Sequence, residues 1–348
     1  MRASSRRVPL LLIVVVLAGC AGQTATGRPT ARHVEVRLGY FPNLTHATAL
    51  YGVAKGIFAD RLGDSVTLTP VVFNAGPDAV SALFSDALDA TYIGPSPSVN
   101  AFSRSNGEAV RVISGATSGG AFLVVRSGIK KPADLRGKKL ATPQLGNTQD
   151  VALRSWLADQ GFHTDLQGGG DVSILPQPNS QAVEALQAGT IDGAWIPEPY
   201  ASQAISKAGA HAHVLVDERD LWPNGRYVTT QLIVRTAFLQ EHPDLVRALL
   251  EAQVEANDAI NMDAAAAQQV VARQLKAITG SDMDPQVLAS AWRNLVFTND
   301  PIASSLLTSA QRAHDLGLLD KVSLAGLFDL TLLNEVLADK GEPQVPQP

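Results

Sequence analysis

Residues 78–97 read DAVSALFSDALDATYIGPSP, and residues 181–200 read QAVEALQAGTIDGAWIPEPY. Set side by side without a gap, Ala79, Val80, Ala82, Leu83, Asp89 and Ile93 meet Ala182, Val183, Ala185, Leu186, Asp192 and Ile196, a constant offset of 103 residues. The same offset pairs Thr45, Ala49 and Leu50 with Thr148, Ala152 and Leu153. Two stretches in one register imply two copies of one α/β unit, with a period too long for a solenoid or propeller. Duplicated α/β lobes that face each other leave a cleft, and clefts between lobes are where small ligands sit.

Working outward, strand and helix patterns alternate along the chain. Residues 34–39 alternate as a strand and end at Tyr40-Phe41-Pro42-Asn43, before a helix that carries Ala49, Leu50 and Val53. Residues 66–73 are the next strand, and Gly76-Pro77-Asp78 opens the helix through Leu83. A short strand at 90–93 runs into Gly94-Pro95-Ser96-Pro97 and a helix to about residue 105. Strands at 110–115 and 121–125 flank Thr117-Ser118-Gly119-Gly120, which reads as polar and flexible. The second copy repeats the plan with strands at 139–142, 172–175 and 193–196 and helices from Thr148 and Gln181. Two more strands, 214–216 and 228–234, precede a helical C-terminal third with an Ala-rich stretch to Lys276 and helices from Asp284 and Leu324. Such alternation predicts largely parallel sheets. The chain is expected to cross between lobes near 118–126 and to return near 218–230, so that the last helices complete the first lobe.

The N-terminus speaks to location. Arg2, Arg6 and Arg7 precede an apolar run over 8–17 that ends at Ala18-Gly19-Cys20. A basic start, a short apolar core and small residues describe a secretory signal too short for a stable bilayer span. Leu17-Ala18-Gly19-Cys20 looks like the lipobox of bacterial lipoproteins, whose cysteine is acylated and becomes the first mature residue. Cys20 is the single cysteine, so an internal disulfide is excluded. Residues 23–32 are small and polar and read as a tether. Without residues 1–19 the chain has 25 basic and 33 acidic side chains. That balance argues against nucleic acid as a partner.

At this point the chain resembles substrate-binding proteins of ABC importers, in the aliphatic sulfonate, taurine and nitrate group related to thiamine-pyrimidine binding proteins. The residues that carry the resemblance are Leu38-Gly39-Tyr40-Phe41-Pro42-Asn43, Ile93-Gly94-Pro95-Ser96-Pro97, Ala141-Thr142-Pro143-Gln144-Leu145-Gly146-Asn147-Thr148 and Ala194-Trp195-Ile196-Pro197-Glu198-Pro199. It implies an α/β fold of two lobes, the type II periplasmic-binding-protein fold, with one solute held in the cleft. It also implies a permease and its ATPase as partners, a monomeric receptor on the extracytoplasmic face of the membrane, and no cofactor or metal. The expected organisation is a signal at 1–19, lipidated Cys20 with a tether to 33, lobe I at 34–122 and 226–340, lobe II at 123–225, and a disordered tail at 341–348.

In parallel sheets, ligands bind beyond the carboxyl ends of the strands, where helix N-termini also point. Unpaired N–H groups and the helix dipole there favour an anion without formal positive charge. The strand-to-helix loops hold Asn43, Thr45, Ser96, Ser118, Gln144, Gly146, Asn147 and Thr148, and none of them holds Lys or Arg. Gly94 and Thr117 belong to the same candidate set. Each polar residue has helix capping as its alternative role, and one residue can cap and bind at once. Tyr40, Phe41, Trp195 and Tyr200 are candidates to wall an organic tail, with ordinary packing as the alternative, above all for Phe41. His46 is expected at the surface or as a cap. Glu198 would repel a simple anion unless it is paired, and would suit a zwitterion such as taurine or an aminopyrimidine. A structural ion pair of Glu198 with Arg154 or Arg226 is the favoured reading.

Catalytic patterns fall short. Gly94-Pro95-Ser96-Pro97-Ser98 lacks the last glycine of a hydrolase elbow, and Pro97 removes the N–H an oxyanion hole would use. His211 and His213 have no clear partner to complete a metal set, and Gly168-Gly169-Gly170 lacks a Walker lysine. An enzyme on the same fold remains a separate class of answer. The cysteine-rich iron motif of the related fungal pyrimidine synthases has no counterpart here.

Overall fold

A computed structural model describes residues 34–320 and 323–348. The signal, Cys20 and the tether lie outside the described residues. Eleven strands form two sheets: β1 (Val34–Tyr40), β2 (Val66–Val72), β3 (Ala90–Ile93), β4 (Val110–Gly119), β5 (Ala121–Arg126), β6 (Lys139–Thr142), β7 (Ser173–Pro176), β8 (Gly193–Pro197), β9 (Ala212–Asp217), β10 (Val228–Arg235) and β11 (Leu295–Phe297). The first sheet has the order β11-β4-β10-β3-β1-β2 and the second β7-β6-β8-β5-β9. Leaving the edge strand β11 aside, the two orders are the same, and each lobe is one copy of the repeat.

A pair of aspartates shows the repeat at atomic level. Asp89 accepts from Arg37 N at 2.9 Å, and its own N–H donates to Arg37 O at 3.0 Å. Asp192, 103 residues on, does the same with Lys139, at 2.9 and 2.8 Å. The carbonyls of Asp89 and Asp192 then accept from Arg235 and Arg126 on the next strand, both at 2.9 Å. One aspartate per lobe thus ties together two strands of its sheet, β1 and β10 in the first and β6 and β5 in the second.

The sheets are mixed rather than largely parallel. β1, β2 and β3 run parallel, as do β6, β7 and β8, because helices link them in βαβ fashion. β10 is antiparallel to β3 and β4, and β5 to β8 and β9. These two strands arrive from the other lobe, so no crossover helix forces them to be parallel. Thr117, Ser118 and Gly119 are not a flexible loop but the end of β4, paired with β10 and β11. Gly119 and Gly120 carry the chain from one sheet to the other at φ of +82° and +77°, a conformation that glycine adopts without strain. A Cβ on Gly120 would meet Leu295 Cδ2 at 2.2 Å.

Helices cover both faces of each sheet. In lobe I, one core lies under Ala47–Ala54, Pro243–Met262, Ala264–Thr279 and Thr331–Asp339, and a second under Gly76–Phe84, Pro95–Arg104 and Ala303–Asp315. In lobe II, Thr148–Asp159 covers one face, and Asn179–Ala188 with Tyr200–Ala208 the other. The last helix begins at Thr331 rather than Leu324, and Ala303–Asp315 is an additional helix. The tail is ordered: Val345 is buried and exchanges two hydrogen bonds with Asn334, at 2.8 and 2.9 Å. Its one apolar side chain and its backbone both find partners on the last helix.

Candidate functional site

The parallel strands of the two sheets point their carboxyl ends at one another, and a cavity of about 20 Å³ lies between them. That is room on the scale of a water molecule. Each lobe lines it with the three loops that follow its parallel strands. From lobe I come Phe41, Asn43, Thr45 and His46 after β1, Asn74 after β2 and Gly94 after β3, joined by Thr229 and Thr230 of β10. From lobe II come Pro143, Asn147, Thr148 and Gln149 after β6, Asn179 after β7 and Pro197 at the end of β8. Gly94 and Pro197 stand at the 103-residue offset.

Four helical N-termini converge here. Pro95–Arg104, Thr148–Asp159 and Asn179–Ala188 start at the cavity, as does the short turn Leu44–His46 that leads into Ala47–Ala54. The Leu44–His46 turn spends its N–H groups on Glu198 O and Asn43, and Pro95 and Pro97 carry none, so it is chiefly the dipoles of the three helices that make the space electropositive. Asn43 caps the first turn, its Oδ1 accepting from Thr45 N at 3.0 Å and Thr45 Oγ1 at 2.8 Å. Asn147 caps the second lobe's helix, its Oδ1 accepting from Gln149 N at 2.9 Å. Thr45 Oγ1 also accepts from Thr230 Oγ1 at 3.0 Å, so its hydroxyl is spent inside lobe I. Thr148 Oγ1 is buried without a hydrogen-bond partner.

The loop that carries Asn147 and Thr148 rests on a buried ion pair. Asp150 accepts from Thr142 Oγ1 at 2.8 Å, Gly146 N at 3.0 Å and Arg154 Nε at 2.9 Å. Arg154 Nη1 donates to Asp165 O at 2.6 Å. The charges are balanced below the loop, and among the described residues no Lys, Arg, Asp or Glu lines the cavity itself.

His46 is buried rather than at the surface. Its Nδ1 accepts from Phe41 N at 3.2 Å, and its ring stacks on Phe41 with centroids 4.3 Å apart. Burial drops its pKa to about 3. Nothing in the local sequence marked this; the fold turns His46 inward.

Of the residues expected at the site, Asn43, Thr45, Gly94, Asn147 and Thr148 meet at the cavity. Others stand nearby in supporting roles. Ser96 Oγ and Thr117 Oγ1 are buried without partners, and Gly146 donates to Asp150. Ser118 pairs within the β4 ladder, and Gln144 Nε2 reaches across to Asp78 at 3.2 Å. The aromatics divide. Tyr40 is in the lobe I core, and Trp195 is in the lobe II core beside Trp156. Tyr200 donates to Pro42 O at 3.1 Å across the lobes, and Phe41 reaches the cavity. Asn179, Gln149, Thr229 and Thr230 carried no motif; they are brought in by β7, β6 and β10.

Glu198 makes no ion pair with Arg154 or Arg226, whose partners are Asp150 and Asp300. Its carboxylate accepts from Ser202 N at 3.0 Å, Ser202 Oγ at 2.8 Å and, across the lobe boundary, Asn294 Nδ2 at 2.7 Å. It lines a separate groove of about 340 Å³ with Phe122, Val214 and Val287. Burial raises its pKa, with the hydrogen bonds from Ser202 and Asn294 working against that.

Two α/β lobes that close on a shared polar cavity define the architecture of periplasmic solute-binding proteins. The chain belongs to the NMT1-like family, whose profile matches residues 30–275. It is 26% identical over 347 residues to the putative aliphatic sulfonates-binding protein of Bacillus subtilis, covering 95% of this chain and 96% of that one. It is 30% identical over 206 residues to the taurine-binding periplasmic protein of Escherichia coli, covering 58% and 60%. The alkanesulfonate-binding protein SsuA of Xanthomonas axonopodis pv. citri, solved with MOPS bound, superposes with a TM-score of 0.70 at 19% identity, covering 85% of this chain and 98% of that one. At that identity the likeness is one of fold.

Proposed function

We propose that this chain is the extracytoplasmic solute receptor of an ABC importer. It closes lobe I (34–122 and 226–340) and lobe II (123–225) over a small sulfonate-type anion, such as an alkanesulfonate or taurine, and presents it to a permease and its ATPase. Cys20 anchors it to the membrane by lipid, and it works as a monomer. The observation that carries this reading is the uncharged cavity on which helix N-termini from both lobes converge. Neutral donors hold an anion through charge-assisted hydrogen bonds and still release it.

The same lining argues for binding rather than catalysis. Among the described residues it contains no carboxylate, lysine or cysteine, and its one histidine spends Nδ1 on a backbone amide. Nitrate is the second reading, favoured by a cavity of about 20 Å³. The test is calorimetric titration of residues 21–348, freed of carried solute by unfolding and refolding. Taurine, short alkanesulfonates, nitrate, sulfate and hydroxymethyl-aminopyrimidine form the panel. One-to-one micromolar or tighter binding of a sulfonate supports the reading. Binding of nitrate or the pyrimidine alone replaces the solute and keeps the receptor, whereas turnover of a bound compound would make the protein an enzyme.

A further inference from the structure

The groove behind the cavity holds a buried carboxylate without a counter-charge. Glu198 is 1% exposed, and among the described residues no Lys, Arg or His lines the groove it faces. Burial raises the pKa of its carboxyl, and the negative charge of Asp217 adds to that. Asp217 has its own cation, Arg219, at 2.6 Å. A buried charge is costly unless it is paired. Glu198 has hydrogen bonds but no cation.

Those hydrogen bonds leave acceptors over. Glu198 Oε1 accepts from Ser202 Oγ and Asn294 Nδ2, whereas Oε2 accepts only from Ser202 N. A carboxylate offers about four acceptor sites, so one on Oε2 is open. Asn294 spends its NH2 group on Glu198, and its Oδ1 has no partner among the described residues. One open acceptor is charged and one neutral, and they come from different lobes.

The walls are apolar. The groove of about 340 Å³ lies between the helices Tyr200–Ala208 of lobe II and Pro285–Trp292 of lobe I. Phe122, Ile205, Val214 and Val287 line it. Val214 stays 42% exposed there, on the edge strand β9. Apolar walls with a few convergent polar groups are the make-up of a small-molecule site, and this volume is at the small end of the range.

We propose that this groove is a second binding site, for a small primary ammonium with a short apolar tail. The head meets Glu198 Oε2 and Asn294 Oδ1, and the tail lies along Phe122, Ile205, Val214 and Val287. A primary ammonium brings three N–H donors and the charge that the carboxylate lacks. The site stands apart from the front cavity and does not depend on which solute is held there.

The experiment is calorimetry of the purified protein at pH 7.5 with methyl-, butyl- and hexylammonium chloride and with hexanol. One-to-one binding of hexylammonium is expected, at least tenfold tighter than hexanol. Affinity should rise about fourfold with each methylene added from butyl to hexyl. Glu198→Gln keeps the shape of the side chain and removes its charge, and should weaken hexylammonium at least tenfold. Val214→Lys leaves the carboxylate in place and sets a tethered ammonium in the groove, so it should abolish binding without disturbing an edge strand. Hexanol binding as tightly as hexylammonium, or either variant binding like the parent, would overturn the proposal. Silence of every ammonium probe overturns it too and leaves the receptor reading untouched.

Discussion

The lobes meet in two places whose chemistry is opposite. At the cavity they face each other with amides, a neutral imidazole and hydroxyls, and no carboxylate is present. Behind it, near the crossings of the chain, two buried glutamates sit at the boundary. Glu198 joins lobe II to Asn294 of lobe I, and Glu218 accepts from Trp195 Nε1 at 2.8 Å. At the rear, Glu198 is well supplied. Glu198 accepts three hydrogen bonds, and its backbone carbonyl accepts a fourth from Leu44 N at 3.0 Å. The front is left short, with Thr148 Oγ1 and Asn179 Oδ1 buried and unpartnered. An unmade buried hydrogen bond costs about 1–3 kcal/mol. Ligand that supplies the missing partners therefore stabilises the closed arrangement, which is how a solute shifts a two-state equilibrium. Both glutamates are kept out of the cavity lining.

The largest effect expected is at Gly94. A Cβ there would stand 2.2 Å from Thr148 Oγ1, across the lobe boundary. Gly94→Val should hold the lobes apart and weaken anion binding about a thousandfold, or ~4 kcal/mol. Small-angle scattering would show no compaction on adding ligand; normal compaction would break the two-state account of the front.

Next is the rear carboxyl Glu218, whose pKa burial raises to about 7, with the Trp195 hydrogen bond and nearby Arg312 pulling it down. The folded state holds this proton more tightly than the unfolded chain. Its contribution to stability is complete below the ordinary value of 4.5 and is lost as pH rises through about 7. Glu218→Gln should therefore gain up to about 3 kcal/mol relative to the parent at pH 8 and nothing at pH 4. His46 has the reverse sign. Its lowered pKa costs stability as pH falls from 6.5 toward about 3. The two slopes oppose each other between about pH 4.5 and 6.5, so the denaturant midpoint of Glu218→Gln should rise more steeply with pH there than that of the parent. Equal slopes for the two proteins across that range would reject the assignment.

A smaller, cleaner contrast comes from Thr148→Ala. The hydroxyl has no partner to lose in the ligand-free protein. Affinity should drop about tenfold, or ~1.4 kcal/mol, with the melting temperature unmoved. Asn294→Ala is the rear counterpart and the mildest. Losing its bond to Glu198 should cost about 1–2 kcal/mol of stability by urea titration and change affinity less than threefold. A larger change in affinity would mean that front and rear are coupled.

The internal repeat made the architecture legible, because 103 residues return the same helix, strand and aspartate to the same place. Asn43, Thr45, Gly94, Asn147 and Thr148 were legible too, since strand ends and caps are local signals. The rest depends on approach from a distance. Asn179, Thr229 and Thr230 follow no motif, and only the packing of two sheets brings them to one cavity. Thr117-Ser118-Gly119 looked like a loop because hydroxyls and glycine say nothing of the strands on either side; β10 and β11 supply the missing partners. His46 and Glu198 were misjudged for one reason. A polar side chain is assumed to seek water or a charge, and here each is buried on backbone and neutral donors instead.

The tightness of the cavity sets a clock. A space of about 20 Å³ neither admits nor releases an organic sulfonate while the lobes stand as they do here. Every solute must wait for the same opening, so residence time has a floor fixed by the protein and shared by strong and weak cargo alike. A partner that pries the lobes apart would remove that floor and leave only the contacts each solute itself makes.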